Sequence, residues 1–571
     1  MKLSTWLLGF AAAASLGASA LAGPAGAGVH PNAQVLGPGI KHLVVIYQEN
    51  HSFDNLYGGW DAIEGQTPNG RANATAGNTT QVRQDNTTAY GCLYQLDVNL
   101  TSPPLSTTCS DHSGTVPIDS HFTNSPFAIE DYIPASATTC PTPNQFAGNG
   151  IPIGQGLPGG CTRDIVHRFY SEQYQINDGQ QNRYMTASDA SGLTMGYYNT
   201  QSLPIYQYLH SQGAPHYVIS DNFFQGAFGG SFLNHQLFVA GTAPIFANAV
   251  QDGGSTDLHS ILDSNNMATS TPLYSPTGTV KDAQLTQKCG ASNTLACGDY
   301  AVNTIQPTYQ PFSPGTAAYK QLPPLTNATI GDRLNASNIP WAWFSGGWSN
   351  ADGDIGWPGW TNGPRNTHSC MDPNVNPNAV WPNCPDGAFQ FHHQAFNFYA
   401  TFAPGTLARK QHLRDEAEFM QRANNGTLPA VSFVKPLGEN NEHPGYASES
   451  NGSSHLVDLM NAIFNGPDGD STVVVITYDE FGGQWDHASP PGTTGGAGGP
   501  HDQWGPGTRI PAITISKAFA HSGVDHTEHD TTSIMATIEH WKGLAPTNNA
   551  NRDAKANDLA SAVYVGLHGN H

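Results

Sequence analysis

Charged side chains are scarce in this sequence of 571 residues, and positive ones are the scarcest. Asp, Glu, Lys and Arg make up 12% of the chain, about half the usual share, and the net charge is −22 with histidine neutral. A chain this acidic is repelled by nucleic acid and by anionic membrane surfaces. The composition therefore argues against nucleic-acid binding and against electrostatic attachment to a membrane.

Long apolar runs are also missing, apart from one at the N-terminus. Lys2 precedes the apolar segment Trp6–Leu16, and Ala20-Leu21-Ala22 follows it as a small-residue cleavage site. This arrangement is typical of a signal peptide, and the run is too short for a membrane span. We predict a signal peptide at residues 1–22, no stable membrane anchor, and a secreted mature chain, extracellular or periplasmic.

The cysteines lack the Cys-x-x-Cys spacing of many structural zinc sites. There are 8 of them, a number that suits an oxidising compartment. Pairing sequence neighbours is the simplest connectivity, and each bridge would close a local loop. The predicted pairs are Cys92–Cys109, Cys140–Cys161, Cys289–Cys297 and Cys370–Cys384. Asn-x-Ser/Thr sequons, which would mark exposed loops in a host that glycosylates, are found at Asn73, Asn78, Asn86, Asn99, Asn327, Asn335, Asn425 and Asn451.

Short apolar runs alternate with amphipathic segments along the chain. Runs of Val, Ile and aromatic residues are typical of strands buried on both faces of a parallel sheet. Helical periodicity occupies Gln201–Gln212, Ser454–Asn465 and Ile534–Trp541. The alternation predicts an α/β fold with a largely parallel sheet flanked by helices. The predicted strands are Lys41–Gln48, Tyr217–Ser220, Trp341–Phe344, Val431–Val434, Val473–Ile476 and Arg509–Ile515.

Gly, Pro, Thr and Asn are concentrated in long segments between these strands. Such segments form irregular loops more often than separate cores. We therefore predict a single domain over residues 23–571, with loop-rich insertions at about 60–160, 245–325 and 345–390.

Polar ligand types directly follow two of the predicted strands. Asp479 and Glu480 end the apolar run that begins at Thr472, and Glu49 and Asn50 end the first strand. Open α/β sheets bind ligands outside the carboxyl ends of their strands, and carboxylates there suit a divalent cation. A solvated acidic turn is the alternative. Further candidates for the same site are Asp486 and His487.

A serine stands at the predicted start of a helix, in Gly229-Gly230-Ser231-Phe-Leu-Asn-His. The amides and the dipole at a helix N-terminus favour an anion, and they would help Ser231 to form an alkoxide. An ordinary helix N-cap would explain the same residue. The helix also carries two additional candidates, Asn234 and His235.

Several ordered blocks together resemble the phosphoesterase family, which contains bacterial phospholipases C and secreted acid phosphatases and has an alkaline-phosphatase-like core. The resemblance runs from about residue 40 to residue 545. The blocks are Glu49-Asn50-x-Ser52-Phe53-Asp54, Thr477-Tyr478-Asp479-Glu480-x-Gly482-Gly483-x-x-Asp486-His487, Arg509-Ile-Pro and Asp525-His526-Thr527.

The resemblance implies a hydrolase of phosphoric esters that uses one divalent metal ion. The implied metal ligands are Glu49, Asn50, Ser231, Asp479 and Glu480, and Ser231 is also the implied nucleophile. The histidines implied around the phosphate are His167, His392, His393 and His443. The metal stays open among Ca, Mg, Mn, Zn and Fe.

The block around Ser231 resembles the acid phosphatase branch. Phospholipase C members more often carry threonine in Gly-Pro-Thr-x-Pro-Asn-Arg, where this chain has Gly-Gly-Ser-Phe-Leu-Asn-His. A secreted acid phosphatase for phosphomonoesters is therefore the first hypothesis. The alternatives are a phospholipase C for phosphatidylcholine-type diesters, which would contact phospholipid head groups, and a non-catalytic secreted binding protein with a structural cation.

The predicted histidines also suggest a pH dependence. Protonated imidazoles would neutralise phosphate oxygens, and one of them would protonate the leaving group. Because histidine is charged below about pH 6.5, we expect activity to fall as the pH rises past neutral.

Overall fold

The computed structural model describes the segments that carry the predicted strands and the predicted site. These are residues 35–83, 85–94, 105–114, 117–131, 133, 162, 164–188, 191–246, 259–262, 296–313, 315–361, 385–386, 388–496 and 498–570. The predicted signal peptide lies outside the described residues. So do the side chains of Cys140, Cys161, Cys289, Cys297, Cys370 and Cys384.

An eight-stranded sheet forms the centre of the protein. In chain order its strands are β1 (His42–Gln48), β2 (His216–Ser220), β3 (Trp341–Ser345), β4 (Leu413–Asp415), β5 (Val431–Lys435), β6 (Thr472–Tyr478), β7 (Ala512–Ser516) and β8 (Gly523–Asp525). They lie side by side in the order β4-β3-β5-β1-β6-β7-β2-β8, and within this sheet β7 alone runs against the others. The predicted α/β fold with a largely parallel sheet is confirmed.

Helices flank this sheet. They are α1 (Phe53–Leu56), α2 (Ala76–Thr79), α3 (Phe169–Ile176), α4 (Pro204–Leu209), α5 (Ser231–Ala240), α6 (Ile330–Ala336), α7 (Trp348–Asp352), α8 (Leu407–His412), α9 (Glu416–Asn425), α10 (Glu449–Asn465), α11 (Thr532–Lys542) and α12 (Ala560–His568). Helix α5 packs on the central strands, since the Phe238 ring stacks 4.2 Å from that of Tyr47 and lies 5.4 Å from that of Phe433. Burying an aromatic side chain of this kind contributes about 1.5–3 kcal/mol.

Small two-stranded sheets lie in the connections between these elements. They join Cys109–Asp111 to Ile118–Ser120, Phe127–Ala128 to Gly196–Tyr197, Phe223–Phe224 to His529–Asp530, His259–Leu262 to Ala296–Ala301, and Gln306–Pro307 to Gln321–Leu322. The disulfide expected between Cys92 and Cys109 is present, with a Cα–Cα distance of 6.0 Å.

The register of the central strands determines which polar residues meet at the sheet edge. Gln48 of β1 pairs with Tyr478 of β6, so the residues that follow them leave the sheet at the same level. On the other side of β1, Ile46 pairs with Val434 of β5, which brings the end of β5 to the same edge. Strands β5 and β6, which pair with β1 on its two sides, therefore end at the same edge of the sheet as β1, and the residues that follow the three strands lie close together.

Each predicted strand overlaps an observed one, and the largest boundary error is at Arg509. Strand β7 begins only at Ala512. Pro511 has no N–H for a ladder hydrogen bond, and the Arg509 side chain is held by acidic residues away from the sheet. The expectation that sequons mark loops is wrong for Asn78, Asn335, Asn425 and Asn451, which lie in helices. No helix within the described segments combines the length and the apolar character needed to cross a membrane.

Three buried glutamic acids give the fold a predictable pH dependence. Burial raises the pKa of Glu172 and that of Glu442 to about 8, and it raises the pKa of Glu539 to about 9, from an ordinary value of 4.5. The folded protein therefore binds more protons than the unfolded chain between these values. The stability that the three groups contribute is fully present below pH 4.5 and is lost as the pH rises through 8 to 9.

We expect the midpoint of thermal unfolding to fall by several degrees between pH 6.5 and pH 8.5, measured by differential scanning fluorimetry at constant ionic strength. The window follows from the raised pKa values of the buried glutamic acids. In Glu539→Gln the decline should be shallower, because glutamine does not ionise. A midpoint that rises with pH across this window would contradict the assignment of buried, protonated carboxyls.

Candidate active site

Ser231 is the first residue of α5, and its hydroxyl lies between two acidic side chains. Its Oγ donates towards Glu49 Oε2 at 3.2 Å and towards Glu480 Oε1 at 3.4 Å. Gly230 occupies the N-cap position, so the Ser231 hydroxyl is not used to cap the helix. Segments that lie far apart in the sequence, near residues 50, 230 and 480, therefore meet around one buried hydroxyl.

The loops after β1 and β6 are joined by hydrogen bonds to one carboxylate oxygen. Asp479 Oδ1 accepts the Asn50 amide at 3.0 Å and the Glu480 amide at 2.8 Å. Asn50 has a left-handed backbone with φ of 61°, which asparagine adopts more readily than most residues. Two oxygens here, Asp479 Oδ2 and Asn50 Oδ1, are buried and have no hydrogen-bond partner among the described residues. Such atoms are suited to a cation.

The predicted histidines line the same site. Asn50 Nδ2 lies 3.2 Å from His443 Nε2 and 3.5 Å from His167 Nε2. His443 Nδ1 donates to the Pro444 carbonyl at 2.7 Å, so in the neutral ring Nε2 is the acceptor for the Asn50 amide. This contact directs the amide nitrogen of Asn50 to the histidines and leaves its oxygen free.

The other predicted histidines are placed by the 3₁₀ turn Phe391–His393. His393 Nδ1 lies 3.1 Å from Glu49 Oε1, and the rings of His392 and His393 are 4.3 Å apart. Across the site, His167 Nε2 lies 3.4 Å from Glu480 Oε1. The structure therefore brings His167, His392, His393 and His443 into one cluster with the acidic residues.

Burial keeps several of these imidazoles neutral. It lowers the pKa of His392 to about 3 and, together with neighbouring imidazoles, holds the pKa values of His393 and His443 well below their ordinary range. Our expectation that these rings are charged below about pH 6.5 is wrong for the ligand-free site, because it ignored the cost of desolvation. A bound anionic phosphate would raise the same pKa values.

The two additional candidates on α5 differ in their surroundings. Among the described residues, the Asn234 side chain hydrogen-bonds to backbone groups. Its Oδ1 accepts the Ala227 amide at 2.8 Å, and its Nδ2 donates to the carbonyls of Ala227 at 3.1 Å, Gly229 at 3.3 Å and Gly230 at 3.3 Å. His235 Nδ1 donates to the Ser231 carbonyl at 2.8 Å. Its other nitrogen, Nε2, lies 3.8 Å from Glu49 Oε1 without a hydrogen bond in the described structure.

Lys435 is a site residue that the sequence analysis missed. Its ammonium group contacts Glu49 Oε1 and donates to the Tyr47 carbonyl at 3.1 Å. Burial lowers the pKa of this lysine to about 7. The signal that could have found it is a lysine at the end of the apolar strand Val431–Lys435, level with the other polar strand ends.

Asp486 and His487 do not join the Ser231 cluster, although they follow Glu480 closely. Gly482 and Gly483 turn the chain with φ of 63° and 76°, values that favour glycine. A Cβ on Gly482 would lie 2.2 Å from the Asn50 carbonyl, so the turn packs tightly on the β1 loop. Beyond this turn, the chain contacts Asp54 and Arg509.

There, Asp486 and His487 form a second buried cluster with Arg509 and Asp54. Arg509 Nε donates to Asp486 Oδ1 at 3.1 Å, and its Nη2 donates to Asp54 Oδ1 at 3.2 Å. The His487 amide donates to Asp54 Oδ2 at 2.9 Å, and the His487 ring lies on the same oxygen. The guanidinium group already balances these carboxylates, so this cluster has a cation of its own.

The sequence matches one protein family over most of its length and individual known proteins over shorter segments. The family model of the phosphoesterase family matches residues 40–545. Non-specific phospholipase C6 of Arabidopsis thaliana is 29% identical over an alignment of 171 residues, and the match covers 26% of this chain and 33% of that protein. Phospholipase C B of Mycobacterium tuberculosis is 31% identical over an alignment of 162 residues, and the match covers 25% of this chain and 31% of that protein. The chain thus matches about a third of the length of these relatives.

A solved structure of a protein in the alkaline phosphatase superfamily from Vibrio parahaemolyticus overlaps with a TM-score of 0.23 and 10% identity. The overlap covers 41% of this chain and 53% of that chain. The family match, in contrast, runs across most of the sequence and through every segment that meets at Ser231. The chain belongs to the phosphoesterase family.

Proposed function

We propose that the protein is a metal-dependent phosphoric ester hydrolase that acts on phosphomonoesters through a phosphoseryl intermediate on Ser231. The observation that carries the proposal is the position of the Ser231 hydroxyl, 3.2 Å from Glu49 and 3.4 Å from Glu480 at the N-terminus of α5. A buried hydroxyl between two carboxylates is a costly arrangement for a purely structural role. It suits a nucleophile that is held ready for attack.

The residues around Ser231 fit a divalent cation. Glu49, Asp479 and Glu480 bring like charges together in a buried place, and Asn50 Oδ1 and Asp479 Oδ2 lack partners in the described structure. These four residues and Ser231 would hold the ion. A bound divalent cation lowers the pKa of a hydroxyl that it contacts and polarises a phosphoryl group. Oxygen-rich ligands suit Ca, Mg or Mn, and the nearby imidazoles leave Zn and Fe open.

The protein's own groups can bind and orient the phosphate. The first amides of a helix have no intrahelical acceptor, so those at the start of α5 can donate to phosphoryl oxygens. In their protonated form, which a bound anionic phosphate favours, the imidazoles of His167, His392, His393 and His443 can donate further hydrogen bonds. Ser231 Oγ then attacks phosphorus while its proton passes to the carboxylate of Glu49 or Glu480, towards which the hydroxyl donates. The ester oxygen leaves with a proton from an imidazole. Water then attacks the phosphoseryl ester and gives a proton to that imidazole, and Ser231 recovers its own proton from the carboxylate as inorganic phosphate leaves.

A phospholipase C activity is the second candidate. The curated relatives named above are phospholipases C, which favours a phosphodiester substrate with a lipid head group. The Gly229-Gly230-Ser231 block, in contrast, resembles the acid phosphatase branch. We favour the monoesterase because this block carries the residue that is proposed to attack phosphorus. The alignments with the phospholipases C, in contrast, cover only part of each relative.

Two chromogenic substrates test this choice. We expect kcat/KM for p-nitrophenyl phosphate to exceed that for p-nitrophenylphosphorylcholine by at least about tenfold. The reverse ratio would support the phospholipase C. Turnover of neither substrate, with cation binding that persists in Ser231→Ala, would instead support a non-catalytic binding protein.

Removal of metal should abolish hydrolysis. Dialysis against a chelator is expected to reduce kcat to about 1% or less of its initial value, because the buried carboxylates then repel the anionic substrate. Re-addition of Ca, Mg, Mn, Zn and Fe(II) one at a time should restore activity with one of them and identify it. Full activity in chelator-treated protein, verified as metal-free by elemental analysis, would rule out the metal-dependent proposal.

A further inference from the structure

Two buried polar side chains beside the site have no part in the proposed chemistry. Glu172 lies on α3, and Gln225 lies just ahead of residues 226–230, which we call the serine loop because Ser231 follows it directly. Both side chains are fully buried. Burying polar groups is costly unless each one is hydrogen-bonded, so their contacts indicate what they stabilise.

Both side chains bind the backbone of the serine loop. Gln225 Nε2 donates to the Ala227 carbonyl at 2.6 Å and to the Gly229 carbonyl at 3.2 Å. The same nitrogen donates to Glu172 Oε2 at 2.8 Å, and that oxygen also accepts the Gly229 amide. The loop before the nucleophile is therefore held from inside by two side chains that also hold each other.

The same pair reaches two other segments that border the site. Gln225 Oε1 accepts the amide of Phe481 at 2.9 Å, directly after Glu480. Glu172 Oε1 accepts the Thr508 amide at 2.7 Å, ahead of the Arg509 cluster. One glutamine thus ties the loop that presents the nucleophile to the loop that presents a carboxylate against it.

A third segment is fixed through α3 itself. His167 lies just before this helix, which begins at Phe169 and carries Glu172 on its first turn. The serine loop packs directly on the start of the helix, since a Cβ on Gly229 would lie 2.5 Å from the Phe169 amide nitrogen. Movement of Glu172 would therefore displace His167 and the serine loop together.

We propose that Glu172 and Gln225 are positioning residues that hold Ser231 in register with Glu480 and His167. This inference rests on the proposed function in one respect, which is that the register of these groups matters for phosphoryl transfer. A displacement of the nucleophile by about 1 Å can cost roughly 100-fold in rate. Loss of the pair should therefore reduce kcat far more than it reduces substrate binding.

Variants of the pair separate positioning from general stability. We expect Gln225→Met and Glu172→Leu to lower kcat for p-nitrophenyl phosphate by about 10- to 100-fold, with KM changed by less than about threefold. Glu172→Gln keeps an oxygen for the Gly229 amide, and it should recover kcat to within about threefold of the original protein. The matched control is Glu539→Leu, which removes another buried glutamic acid with a raised pKa, on α11. It should lose similar stability and keep kcat.

Amide hydrogen exchange provides a readout that does not depend on activity. In Gln225→Met, peptides covering 226–235 and 479–486 should exchange together and at least about tenfold faster, because one side chain joins them. Glu539→Leu should leave both peptides unchanged. Unchanged exchange in Gln225→Met, or equal kcat in Gln225→Met and Glu539→Leu, would overturn the proposal. A failure of the proposed function would look different, because the unsubstituted protein would hydrolyse neither chromogenic ester while the exchange result still stood.

Discussion

Replacing Ser231 with alanine is expected to lower kcat for p-nitrophenyl phosphate by roughly 10⁴- to 10⁶-fold, in the range seen when a covalent nucleophile is deleted. The hydroxyl that faces Glu49 and Glu480 is the proposed attacking group, and an alanine side chain has no atom that could attack phosphorus in its place. Residual turnover would come from substrate binding and electrostatic stabilisation alone.

A trapping experiment distinguishes loss of the nucleophile from loss of the site. Rapid acid quenching with a ³²P-labelled monoester should leave label on Ser231 in the unsubstituted protein and no label in Ser231→Ala. Labelling of another residue, or Ser231→Ala turnover within about tenfold of the original, would mean that water or a different group attacks phosphorus.

Ser516→Ala is the matched control. Its Oγ is also buried and donates to the Thr472 carbonyl at 2.9 Å. Ser516 pairs with Val473 at the start of β6, at the sheet edge away from Ser231. We expect it to change the free energy of unfolding by about 1 kcal/mol and to leave kcat unchanged. A comparable loss of kcat in Ser231→Ala and Ser516→Ala would mean that the loss comes from impaired folding and not from the missing nucleophile.

The convergence of Glu49 and Asp479 was predictable because it follows from the parallel sheet. Both residues end apolar runs, and neighbouring parallel strands release their C-terminal residues at one edge. Ser231 was predictable as a helix start after two glycines, although only the structure places its hydroxyl against the acidic residues. Local patterns were therefore sufficient for these two strands and for the start of this helix, and the register was needed for the contacts.

Proximity in sequence was a poor guide for Asp486 and His487. They follow Glu480 by a few residues, yet the turn at Gly482 carries them to Arg509 and away from Ser231. Their destination depends on where Arg509 lies, and that is a long-range property. The length of an element also limits its prediction from sequence. Strand β4 has only 3 residues, which is too short for a periodic pattern to be recognised.

Charge states were the least predictable property. The ionisation of His392 and the environment of Lys435 depend on how completely other segments cover them, which no pattern of residue types reports. Burial lowers the pKa of His392 to about 3, far from the value that its residue type suggests. Burial therefore favours the neutral form of His392 in the ligand-free site.

Replacing Arg509 with methionine is expected to lower the free energy of unfolding by about 3–5 kcal/mol, the usual cost of breaking a buried ion pair by removing one partner. Arg509 is fully buried and donates to Asp486 and Asp54 as well as to the carbonyls of Asn69 at 2.6 Å and Asp221 at 2.8 Å. Without the guanidinium group, two buried carboxylates face each other and two carbonyls lose their donors. Urea denaturation followed by tryptophan fluorescence measures the loss.

Arg422→Met is the control for removal of a guanidinium group as such. Arg422 pairs with Glu418 at 2.8 Å on the surface of α9, and its side chain is 42% exposed. An exposed pair of this kind contributes about 0.5 kcal/mol or less. Equal losses in the two variants would contradict a special role for the buried cluster.

A double substitution tests whether the cost comes from unpaired charge. Adding Asp486→Asn to Arg509→Met removes one of the carboxylates that the lost guanidinium group had balanced. The second substitution should therefore cost less in the Arg509→Met background than it costs alone, with a coupling of about 1–3 kcal/mol. Additive losses would mean that Asp486 is not ionised beside Arg509, and the cluster would then owe its stability to packing and neutral hydrogen bonds.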